Sequence, residues 1–161
     1  MNTATDTLFA PLVIATAPDS SAGVKGAPVS TSTAQDRKHR ILCVDDEITG
    51  TRSRGDILEE HGYSVVLSHS PLAVLRCDLS PFDLAVVDFH MPELNGRELF
   101  LRMRALGARF PVVLLAEAVD ELSYEDRVLF ARCLDKGRSV QNLLETIAEF
   151  LDPNQIPDFG T

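Results

Sequence analysis

The chain reads as an α/β protein, a doubly wound five-stranded parallel sheet flanked by five helices. Three observations lead there. Short apolar runs rich in β-formers recur along it, as "RILCVD", "YSVVLSH", "DLAVVD" and "FPVVLLA". Three of the four are continuously apolar, which suits strands covered on both faces. Helical signals fall between the runs, and strand–helix–strand repetition implies right-handed crossovers within one sheet.

Each element carries its own marks. After the first run, the segment Ile48 to His61 reads as a helix that Gly62 closes as a C-terminal cap residue. Gly50 and Gly55 each weaken that helix by about 1 kcal/mol relative to alanine. After the second run, Ser70 and Pro71 read as an N-cap followed by proline at the first helical position. The third helix covers Arg97 to Leu106, with Leu99, Met103 and Leu106 at helical spacing. "VDELSYEDRVLF" is acidic and predicts a short or mobile fourth helix, and a fifth strand falls near "FARCLD". Ser139 opens the last helix, which puts Val140, Leu143, Leu144, Ile147, Phe150 and Leu151 on one face.

At 161 residues the chain suits one domain with a full core. Residues 1–38 are rich in Ala, Thr, Ser, Pro and Gly and predict a disordered tail. The folded domain is expected over 39–151, with a short tail over 152–161. The stretch "LFAPLVIATA" is too short to span a bilayer, is broken by Pro11, and lacks the basic residues that precede a signal peptide's apolar core. A cytoplasmic protein is the expectation. A formal net charge of -9 speaks against binding nucleic acid or an anionic membrane surface. Arg37, Lys38 and Arg40, ahead of the first strand, read as a solvated edge. Cys43, Cys77 and Cys133 lack zinc-ligand spacing and read as reduced thiols.

In doubly wound sheets, sites form at the carboxyl ends of the strands. The first strand ends in Asp45 and Asp46, the third in Asp88, and Lys136 follows the fifth. Three carboxylates brought together repel unless a cation neutralises them, and oxygen-only ligands at a half-open site suit Mg²⁺. A carboxylate beside Mg²⁺ and a lysine is set up to attack phosphorus and form an aspartyl phosphate. Each residue also has a plainer reading: Asp46 as a helix cap, Asp88 as a turn residue, Lys136 as an exposed lysine near a cap.

"ILCVDDE", "DLAVVDFHMPELNG" and "CLDKG" resemble the signature blocks of the response regulator receiver domain of two-component signalling. The central block, an apolar strand followed by D-x-x-M-P-x-x-x-G, is the most specific. The resemblance implies that Asp88 is the phosphoacceptor for a histidine kinase or phosphotransfer protein. It implies that Asp46 ligates Mg²⁺ directly, Asp45 through water, and His90 through its backbone carbonyl, while Lys136 contacts the phosphoryl oxygens. It also implies a protein partner on the face made by the fourth helix, fifth strand and fifth helix. Met91 and Pro92 are expected to shape the loop, and Gly96 to allow a tight backbone path.

Four positions depart from the family pattern. Ala116 stands where the family has Thr or Ser, and Glu117 where it has a small residue. Cys133 replaces the switch aromatic, and Gly137 the proline after the lysine. A hydroxyl at position 116 would hydrogen-bond the phosphoryl group and draw the following loop inward; alanine does not. Three functions therefore stand side by side. One is a stand-alone receiver that signals by protein contact. Another is a pseudo-receiver, a binding module indifferent to phosphorylation. The third is a magnesium-dependent phosphatase, for which His90 occupies the place of the required second acid.

Overall fold

A computed structural model describes residues 37–152. The expected tails lie almost wholly outside the described residues. Five parallel strands form one sheet in the order β2-β1-β3-β4-β5, with β1 Arg40–Val44, β2 Ser64–Ser68, β3 Leu84–Asp88, β4 Val112–Ala116 and β5 Arg132–Asp135. Five helices alternate with them: α1 Ile48–Glu60, α2 Pro71–Val74, α3 Gly96–Ala105, α4 Tyr124–Leu129 and α5 Val140–Leu151. The doubly wound reading holds in full.

The two faces of the sheet build two cores. Leu42, Val44, Ala85, Val87, Val112 and Leu114 point to the side covered by α2, α3 and α4, where Val74, Leu99, Phe100 and Met103 meet them. Ile41, Cys43, Leu84, Val86, Val113 and Leu115 point to the other, under Leu58 of α1 and Leu143, Leu144 and Ile147 of α5. β3 and β4 are buried along their whole length. This explains why their sequences are continuously apolar.

Most local signals act as read. Gly62 adopts φ 92°, the left-handed conformation that ends α1. Ser70 caps α2, accepting from the Ala73 N–H, and proline takes the first turn. At α3 the structure adds a signal the sequence reading did not use, a reciprocal capping box of Asn95 and Glu98. All six apolar residues expected on one face of α5 pack in the second core, Ser139 standing at the N-cap position without a capping side-chain bond.

Two expectations need correction. Leu106 lies just past α3 and is exposed, because Gly107 turns the chain away at φ 94°. Of the expected solvated edge, Arg37 and Lys38 are exposed but Arg40 is half-buried. Arg37 pairs with Asp83 at 2.6 Å, and the Arg40 guanidinium lies 5.5 Å from the centroid of Phe82. The fourth helix is short, as its sequence suggests: α4 has six residues, none of them buried, preceded by one 3₁₀ turn over Val119–Glu121. No helix among the described residues is long and apolar enough to cross a membrane.

Ile147 is fully buried at the centre of the second core. Ile147→Ala should therefore cost about 2–5 kcal/mol, read from the urea midpoint at unchanged slope.

Candidate functional site

The parallel sheet sends the ends of β1, β3 and β5 to one edge, so residues far apart in sequence meet there. Asp45 directly follows β1, Asp88 is the last residue of β3, and Lys136 directly follows β5. Lys136 is fixed from its backbone, its N–H donating to the Ala116 carbonyl at 2.7 Å. Its Nζ then lies 3.0 Å from Asp88 Oδ1 and 3.3 Å from Asp45 Oδ2. Asp45, Asp46 and Asp88 each bring one carboxylate oxygen to within 4.8 Å of the others.

The three acids differ in their surroundings. Asp45 is 1 % exposed, and its Oδ1 accepts from the Glu47 N–H at 2.9 Å. Asp46 is exposed. It is not the cap of α1, because Glu47 takes that role and accepts from the Gly50 N–H. Asp88 is 2 % exposed and its Oδ2 is buried with no hydrogen-bond partner. Burial pushes the Asp88 carboxyl above its usual range, a rise that Lys136 opposes and the neighbouring Asp45 charge assists. For Lys136, burial acts downward, but the hydrogen bonds and charges of Asp88 and Asp45 outweigh it and hold the ammonium above its ordinary value.

An orphaned buried carboxylate oxygen costs about 1–3 kcal/mol or more, so a ligand that satisfies it gains that much. The donor set is all oxygen, one acid is exposed, and one buried oxygen is unsatisfied. These residues fit Mg²⁺, which keeps several waters and takes one or two carboxylates.

The loop after β3 is closed tightly over the acid. Gly96 N–H donates to the Phe89 carbonyl at 2.9 Å. A Cβ on Gly96 would stand 2.6 Å from the Asp88 carbonyl oxygen and 2.9 Å from Leu114 Cδ1. Glycine is needed here for close approach rather than for an unusual φ. The left-handed residue of the loop is Glu93, at φ 70°. Met91 is buried and anchors the loop in the first core. The His90 ring is exposed and meets Phe89 edge-on at 4.9 Å.

A sequence model described as the response regulator receiver domain matches residues 41–148. The chain belongs to that family. Among curated relatives, it is 28% identical over 123 residues to the transcriptional regulatory protein CpxR homolog of Haemophilus influenzae, covering 73% of this chain and 52% of that one. It is 37% identical over 90 residues to the alginate biosynthesis transcriptional regulatory protein AlgB of Pseudomonas putida, covering 54% of this chain and 20% of that one. The chain thus spans a fifth to about half of these relatives. A CheY-like receiver domain protein from Methanospirillum hungatei superposes with TM-score 0.63 at 28% identity, covering 73% of this chain and 96% of that one.

Within this receiver fold, the four positions that depart from the family pattern lie on β4 and β5 or just past their ends. Ala116 is buried at the end of β4, and Glu117 next to it is exposed. Cys133 is half-buried on β5 against the first core, with burial raising its thiol, and Gly137 is exposed after Lys136. All three cysteines are free thiols.

Three nearby residues escaped the sequence reading. Arg54 of α1 places both Nη atoms on Asp45 Oδ2, at 2.8 and 3.0 Å. The His69 ring Nδ1 lies 3.0 Å from the Asp45 carbonyl oxygen. Asp135 accepts from the Val119 N–H at 2.7 Å and from Arg138 Nε at 3.0 Å, so it pins the loop between β4 and α4. Arg54 stands one helical turn after Gly50, but the sequence does not say which way that face of the helix turns.

Because the fold disfavours ionised Asp88, Asp88→Asn should stabilise the domain near neutral pH. A rise of about 2–4 °C in melting midpoint corresponds to about 1 kcal/mol at this size. The sign follows from the raised carboxyl: the cost of ionisation is fully present above the folded-state value and vanishes as pH falls toward the ordinary carboxylate range. Melts of both proteins from neutral to acid pH should therefore converge; a gap that widens on acidification would contradict this.

Proposed function

We propose that the chain works in the cytoplasm as a receiver that accepts a phosphoryl group on Asp88 and signals by protein contact. The donor is the phosphohistidine of a histidine kinase or phosphotransfer protein. The observation that carries this reading is the unpartnered Asp88 Oδ2, buried beside a lysine and two further acids. That oxygen attacks phosphorus, the P–N bond breaks, and the electron pair leaves on the imidazole nitrogen, which is protonated from solvent. Lys136 is already at Oδ1 and is placed to offset the charge gathering on the phosphoryl oxygens. Bound Mg²⁺ would supply further charge neutralisation on those oxygens. Asp46, exposed and not used as a cap, suits direct ligation; Asp45, held by N–H donors, suits contact through water. The His90 backbone carbonyl would complete the set. Such a protein promotes its own phosphotransfer and dephosphorylation and turns over no separate substrate.

A second reading, a pseudo-receiver whose partner ignores phosphorylation, draws on a specific contact. In the chain's present state the β4–α4 loop is already held by Asp135, and Ala116 offers no hydroxyl to draw it elsewhere. A hydrogen bond to a charged group is worth about 1.5–3 kcal/mol, the size of a whole allosteric coupling. Glu117 adds negative charge at the entrance, which slows an anionic donor. In either reading the output face is α4–β5–α5, where Tyr124 and Val128 are exposed, and the net charge of -9 favours a protein partner over nucleic acid or an anionic membrane.

Intact-mass spectrometry after incubation with Mg²⁺ and a small phosphodonor should show one added phosphoryl group, absent from Asp88→Asn and from samples containing EDTA. No adduct under conditions that label an ordinary receiver would sink the phosphoacceptor reading. Amide exchange in residues 117–123 should change little on phosphorylation of the native chain. It should slow by several-fold in the double variant Ala116→Thr, Cys133→Tyr. If the loop of the double variant is equally indifferent, the missing hydroxyl and aromatic are not what uncouples it.

A further inference from the structure

We propose that Arg54 is a resident cation of the acidic site, competing with a divalent metal for Asp45 and so setting how tightly the metal binds. This rests on the reading of Asp45, Asp46 and Asp88 as the metal-holding group of a phosphoacceptor site.

The residue is built into place by its helix. Side chains on a helix lean toward its N-terminus, so Arg54 reaches back over the preceding turn. The residue one turn back is Gly50, and a Cβ there would stand 3.4 Å from Arg54 Nη2 and collide with the Glu47 carboxylate. The bare turn leaves a path for the guanidinium to the end of β1. Only 17 % of the Arg54 side chain is exposed, and its partner Asp45 is 2 % exposed, so the pair is little screened by water.

The geometry is a clamp on one oxygen. Asp45 Oδ2 receives both Arg54 Nη atoms, at 2.8 and 3.0 Å, with Lys136 Nζ at 3.3 Å, while Oδ1 is taken by the Glu47 N–H. Three acids thus face two cations before any metal arrives, against one if Arg54 is removed. Two effects follow in the same direction. The field that draws a divalent ion is reduced, and a water bridging metal to Asp45 Oδ2 has to displace a guanidinium donor. Arg54 touches none of the reacting atoms in this arrangement; it acts through Asp45 and is a positioning residue.

The test is calorimetric titration of the full chain with Mg²⁺ alone, at fixed ionic strength. Arg54→Met, which keeps the length and packing of the stem, should bind Mg²⁺ about tenfold more tightly, or about 1.4 kcal/mol. Arg54→Lys, which restores the charge, should return most of the way to the native value. Equal or weaker binding by Arg54→Met, with native circular dichroism, overturns the inference. Should that variant fail to fold, the native chain with isotope-labelled arginine decides. The Arg54 side-chain resonances should move with the same midpoint as Mg²⁺ binding, and resonances that stay still refute the competition. The outcome is separable from the phosphoacceptor reading. Tightened Mg²⁺ binding with no adduct on Asp88 supports Arg54 and removes the phosphoacceptor, whereas an adduct with unchanged Mg²⁺ affinity does the reverse.

Discussion

The ammonium of Lys136 sits between two buried carboxylates, and the functional edge of the sheet depends on it. Its contacts with Asp88 and Asp45 tie the ends of β5, β3 and β1 together. Without it Asp45 would keep Arg54, but Asp88 would be left a buried acid with no cation, and an uncompensated buried charge is costly. The fold itself does not need the cluster, since its two cores are apolar and nearly continuous beneath the sheet edge. What the cluster needs is the fold: the parallel order β2-β1-β3-β4-β5 sets the ends of β1 and β3 side by side, and Lys136 reaches them from past β5 across the end of β4.

The site is therefore strained in one specific sense. Asp88 keeps a buried oxygen without a partner while the acids around it are satisfied by backbone N–H groups, Arg54 or solvent. Natural proteins retain such defects where they are used, and stability is given up locally for reactivity. The surrounding loop is rigid enough to hold the defect, through the close approach of Gly96, the buried Met91 and the capping box at Asn95.

The alternation of runs and caps made the architecture readable from sequence, and β3 and β4 were readable because burial on both faces leaves no polar position to confuse the pattern. β5 was harder, since Arg132 is exposed and the strand is only four residues long. The start of α2 was visible in Ser70 and Pro71, but nothing in "LAVLRCDLS" announces that one turn is all it makes. Asp45, Asp46, Asp88 and Lys136 could be placed together because strand ends converge by topology. Arg54 and Asp135 could not. Whether an arginine on a half-exposed helix faces solvent or the sheet edge depends on the helix's rotation, which a helix weakened by two glycines and low in amphipathic contrast leaves open. Asp135 carries no mark in the sequence; its contact with Val119 depends on where a loop of the neighbouring strand returns.

The fourth helix has no buried residue and is held instead by polar tethers. Arg97 of α3 reaches Asp126 at 2.7 Å, and Ser123 caps the same short turn. The helix's own apolar hold is Leu129, half-buried against the first core, so the segment belongs at the low end of the local-stability scale. The residues that bracket it, Leu122 and Phe130, are buried in the first core. The proposed output face thus includes a weakly anchored helix. A partner that docked there would order the helix as it bound, and added salt would weaken the ion pair that tethers it.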